Sequence, residues 1–112
     1  MTSDRRDHPR VLHYFDCRWF SKWGATDARL NDLSASGCHV VNRFTTPSVG
    51  DQVDIEVIRT TGEPLALSGE VVSVERGVGF GVRFGEIEAD TRDQIEALIA
   101  GAHSSNRRAS GP

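Results

Sequence analysis

Residues 51–59, DQVDIEVIR, alternate without a break. Val53, Ile55 and Val57 point one way and Asp54 and Glu56 the other. A repeat of two does not suit a helix, whose faces recur every three to four residues. It specifies an antiparallel strand with one face in a core and one in water. The pattern returns in GVGFGVRFG, where Val78, Phe80, Val82 and Phe84 share a face. Between the two runs, TTGEP reads as a turn and LALSGEVVSVE as a further strand with Gly69 at a bulge. Upstream, the aromatic-rich run Val11–Phe20, then Ala25–Leu30 and Cys38–Phe44, read as three more strands. After Gly85 the period changes. Ile95, Leu98 and Ile99 fall on one helical face, Asp90 or Thr91 caps its start, Thr91-x-x-Gln94 fits a capping box, and Gly101 fits its end. Short strands separated by turns and followed by one helix predict a mainly β fold: a small antiparallel barrel of about six strands with a C-terminal α-helix packed on it.

A length of 112 residues suits one domain. The expected organisation is a flexible arm over 1–10, a barrel plus helix over 11–101, and a polar, disordered tail over 102–112. No apolar run approaches the ~18 residues of a membrane span, and no long apolar stretch follows Arg5-Arg6 to make an export signal. The two cysteines, Cys17 and Cys38, form no C-x-x-C pair and read as reduced core thiols of a cytoplasmic protein with no membrane association. The net charge of −3 disfavours a nucleic-acid barrel, which would expect a basic groove.

Two short stretches stand out against this frame. In DRRDHPRV, Arg6 and Arg10 are separated by three residues and preceded by Arg5. Pro9 disfavours a helix here, so the arginines sit on an irregular or extended segment able to wrap around a ligand. Guanidinium groups match phosphate and the guanine O6/N7 edge as planar forks. In LNDLSASGCHV, Asp32-x-Ser34-x-x-Gly37 sets an acid, a hydroxyl and a glycine at tight spacing. A carboxylate accepts from guanine N1 and N2, a hydroxyl with nearby amides holds phosphate, and glycine lets a backbone approach closely. Together these groups suit a guanine nucleotide with more than one phosphate.

Arg6-x-x-x-Arg10 followed by Asp32-x-Ser34-x-x-Gly37 resembles the paired signature of PilZ domains, bacterial receptors for cyclic di-GMP. GDQVDIEV, GEVVSVE and GVGFGVRF, followed by an amphipathic helix, are similar to the later strands and helix of that family. The resemblance spans residues 5–101. It implies that Arg6 and Arg10 clamp guanine edges and phosphates, that Asp32 and Ser34 bind a guanine and its phosphate, and that Gly37 shapes the turn. Arg5 in that position implies an intercalated, stacked pair of ligands. Arg76 stands in for a late-strand contact that is commonly aromatic in the family. The implied function is a cyclic di-GMP adaptor, without cofactor or catalysis, that changes its surface on binding and so regulates a protein partner.

Plainer readings exist for each feature. The arginines suit a solvated tail, and Asp32 and Ser34 suit a local turn at a strand entry. A ligand-independent interaction barrel is the competing function. His8, His13, His39 and His103 show no metal spacing. GVGFG continues as strand and so is no dinucleotide loop. Asp32, Ser34 and His39 lack a nucleophile elbow. Trp19, Trp23, Phe80 and Phe84 read as core.

Overall fold

The structure, a computed structural model, describes residues 13–22, 24–60 and 62–110, with the backbone alone over 103–110. Trp23 and the arm carrying Arg5, Arg6 and Arg10 lie outside the described residues. Six strands follow in order: β1 (Phe15–Ser21), β2 (Gly24–Asn31), β3 (Gly37–Val41), β4 (Gln52–Val57), β5 (Leu65–Glu75) and β6 (Gly79–Phe84). One helix, α1 (Ala89–Ser110), ends the described chain. The strands close into an antiparallel barrel in the order β1-β2-β3-β6-β5-β4. All six neighbours pair antiparallel, so no strand is left as an edge.

The alternation puts Val53, Ile55 and Val57 of β4 inside, with Phe80, Val82 and Phe84 of β6 facing them. Trp19 and Phe80 meet edge to face with ring centroids 5.0 Å apart, at the centre of the barrel. Cys17 and Cys38 are free and buried in the same cluster. Ile95 of α1 is fully buried in that cluster, and Leu98 and Ile99 pack partly against it, as the helical periodicity requires. The helix therefore acts as the barrel's stopper. Arg59, just past β4, donates to Gln94 of α1 at 3.0 Å and ties the stopper to the barrel.

Several local expectations are corrected. The first strand is Phe15–Ser21, with His13 and Tyr14 ahead of it outside any strand and residues 11–12 outside the described residues, and the third ends at Val41 because Asn42 turns the chain, its Oδ1 accepting from Phe44 N and Thr45 N. Val78 lies in the β5–β6 turn and is half exposed, one residue before β6 begins. The irregularity in β5 falls between Val71 and Ser73, not at Gly69, which pairs regularly with both Val53 and Phe84. Gly69 is there because a side chain would collide with the Arg83 carbonyl oxygen. At the helix start, Gln94 bonds the Asp90 carboxylate at 2.9 Å and receives Arg59, so the Thr91–Gln94 box gives way to a tertiary contact. The helix also passes Gly101, which was expected to end it, and runs to Ser110. Gly101 lacks the positive φ that makes a glycine stop, and Ala102 beyond it is still buried.

Candidate functional site

The site is built on the connection between β2 and β3. β2 ends at Asn31, which pairs with His39, and β3 begins at Gly37. The five residues between them fold into a tight turn. Leu33 points into the core and anchors it, while Asp32 on one side is exposed and Ser34 on the other is half-buried. Asp32 adopts a left-handed backbone, φ 52°, the only such non-glycine among the described residues. Aspartate tolerates that region better than most residues. The acid therefore suits the turn as well as a ligand.

Ser34 is the turn's hub. Its amide donates to Gly37 O at 2.9 Å, and its hydroxyl accepts from Ser36 N at 3.1 Å. The same hydroxyl lies 3.0 Å from Ser36 Oγ and 3.4 Å from Gly37 O. The turn is held from the other side by β6, where Phe84 N donates to Ser36 O at 2.9 Å. Gly37 pairs with Arg83, and a Cβ on it would sit 2.3 Å from Val82 O. Its φ is not positive. The glycine is needed so that β3 and β6 can meet where the turn ends.

Register then fixes what surrounds the turn. Gly37, Arg83 and Glu70 form one row across β3, β6 and β5, and Asn31, His39, Gly81 and Ser73 form the next. On β6 Val82 and Phe84 point inward, so Arg83 stands on the outer face, where its Nη2 lies 3.6 Å from Glu70 Oε1. In the second row His39 Nε2 lies 3.9 Å from Glu75 Oε1. β1 begins at the same end of the barrel, with Phe15 opposite Leu30. The described chain therefore starts close to the turn.

Asp32, Ser34 and Gly37 are thus brought together. Arg76 is not with them. It lies at the tip of the β5–β6 hairpin, where Val78 N donates to Glu75 O and Gly77 takes φ 79°. The register from Gly37–Arg83 to Val41–Gly79 sets that tip roughly 13 Å or more away along the strands. Sequence reasoning passed over Arg83, the arginine that β6 does bring beside the turn. Its only signal was the alternation of β6, because the β3–β6 pairing joins strands distant in sequence.

Among the described residues no three His, Cys, Asp or Glu side chains converge as a metal site, and no helix is long and apolar enough to cross a membrane. The PilZ domain family model matches residues 4–101, a span that includes both the arginine motif and the turn. The chain belongs to the PilZ domain family. Members of this family are generally receptors for cyclic di-GMP and are binding domains rather than enzymes. No curated protein matches the chain. In this PilZ domain the turn between β2 and β3 carries Asp32 and Ser36 exposed on the outside of the barrel.

Proposed function

We propose that this PilZ domain binds cyclic di-GMP between its N-terminal arginines and the Asp32–Gly37 turn, and that the closed arm is read by a protein partner. The observation that carries this reading is the position of β1. Its first residue, Phe15, pairs with Leu30, two residues before Asp32. Arg10 precedes Phe15 by five residues and Arg6 by nine. At ~3.4 Å per extended residue, both guanidinium groups have the reach to meet a ligand seated on the turn.

In this arrangement Asp32 accepts from the guanine N1 and N2 donors. The backbone and hydroxyl of Ser34 hold the turn in shape and offer a phosphate contact. Arg6 and Arg10 supply forks for the phosphodiesters and guanine edges. Arg5 favours a stacked pair of ligands. Ordering the arm opposes binding, by about 2–5 kcal/mol for a coupled folding event, and creates a surface that exists only in the bound state. Because the barrel has no open edge, a partner reads this surface by its side chains and not by adding a strand.

Isothermal titration with cyclic di-GMP tests the proposal. The expected result is saturable binding approaching two nucleotides per chain. Arg6→Ala or Arg10→Ala abolishes it with the fold intact, and Arg5→Leu lowers the stoichiometry. Absence of heat with folded wild-type protein refutes the ligand. A wild-type ratio of one refutes the pair alone.

A further inference from the structure

The outer face carries a charged pair that the signature does not include. Glu70, Arg83 and Gly37 are successive cross-strand partners. Gly37 has no side chain, so in this row nothing stands between Arg83 and the turn. The next residue, Phe84, donates its amide to Ser36 O, which fixes β6 against the loop that carries Asp32 and Ser34. The Arg83 side chain is 66% exposed and that of Glu70 43%. Their closest approach of 3.6 Å is well outside the ~2.7–2.9 Å of a charge-assisted hydrogen bond. Exposed pairs of this kind hold weakly, so an anion can displace the carboxylate at little cost.

We infer that Arg83 is a further ligand-contacting residue of this domain and that Glu70 is its resting counter-ion, exchanged for a phosphodiester or guanine edge when the dinucleotide binds. The inference rests on the cyclic di-GMP reading above. In the free protein Glu70 neutralises Arg83 and holds it on the face of the barrel. On binding, the guanidinium swings to the ligand and Glu70 is left to water, which costs little for an exposed carboxylate. The device tunes affinity from outside the motif. The acid competes with the ligand for the arginine and also repels its phosphates.

The test is titration of cyclic di-GMP into the full chain and its variants, with a urea midpoint for each. Arg83→Ala is expected to weaken binding about tenfold or more, as for the loss of one charged hydrogen bond. Arg83→Lys recovers only part, because the ammonium keeps the charge and loses the fork. Glu70→Gln is expected to tighten binding several-fold with its urea midpoint close to wild type. A purely structural pair predicts the opposite sign for Glu70→Gln, since breaking it from either side would weaken binding alike. Wild-type affinity in Arg83→Ala, or weaker binding in Glu70→Gln, overturns the inference. If Arg6→Ala abolishes binding while Arg83→Ala leaves it unchanged, the receptor reading stands and this inference alone falls. If the wild type itself does not bind, both fall.

Discussion

Gly37→Ala separates two reasons for a glycine in the signature. If the residue were there to bend the turn, its φ would be positive, and it is not. What a methyl group meets instead is backbone: Val82 O at 2.3 Å, with Arg83 Cα and Val82 C at 3.3 Å. A carbonyl in a sheet cannot rotate away as a flexible side chain can. β3 and β6 must part by about 0.7 Å or more to bring that 2.3 Å approach to the 3.0 Å a real Cβ keeps, which strains the Phe84 N–Ser36 O bond that holds the turn. Overpacking of this kind costs about 1–3 kcal/mol. The gain from stiffening the unfolded chain, ~0.4–1 kcal/mol, offsets only part. A net loss of about 1–2 kcal/mol is expected, read as a lower urea midpoint at unchanged slope. Cyclic di-GMP affinity should fall in the same variant, because Asp32 and Ser34 move with the strand. A midpoint equal to or above wild type would refute the close-approach argument.

Three further outcomes are expected. Gly101→Ala should raise stability by ~0.5–1 kcal/mol in urea unfolding, since Gly101 lies within α1 with open space around it; a loss would show that the helix stops there after all. Asp32→Asn should weaken or abolish binding in calorimetry, because asparagine tolerates the same left-handed backbone but cannot accept from both guanine donors; binding retained at wild-type affinity would remove the carboxylate from the site. Burial raises both thiols to about 12, Cys17 helped by Asp16 and Cys38 by Cys17. Their folded values lie above the unfolded one, so the folded state holds their protons more tightly. Stability should fall as pH climbs from about 9 towards 12, and a disulfide reagent at pH 8 should label them only as fast as the protein opens. Fast labelling would contradict their burial.

How much of this was legible in the sequence depended on how local each signal was. The β4 alternation and the helical face of Ile95, Leu98 and Ile99 are short-range patterns, and the structure uses both as read. The run LALSGEVVSVE is β5 from end to end. Errors arose where a distant partner decided. Gly69 looked like a bulge, but only the Arg83 carbonyl opposite explains it. Gln94 looked like half of a capping box until Arg59, 35 residues away in sequence, claimed it. Gly101 looked like a stop because glycine so often is, whereas buried Ala102 carries the helix through. In the site the same division holds. The spacing within Asp32-x-Ser34-x-x-Gly37 is local and identifiable. That Arg83 flanks this turn and Arg76 does not follows from a β3–β6 register that no neighbouring residues encode.

Hydrogen–deuterium exchange with and without cyclic di-GMP probes the central claim most directly, because it watches the arm and the turn together. Protection on ligand addition is expected in residues 5–10 and 32–37 at once, with β4 and the far hairpin around Arg76 unchanged. Protection elsewhere on the barrel with neither segment affected, in protein that is folded and saturated with nucleotide, would contradict it.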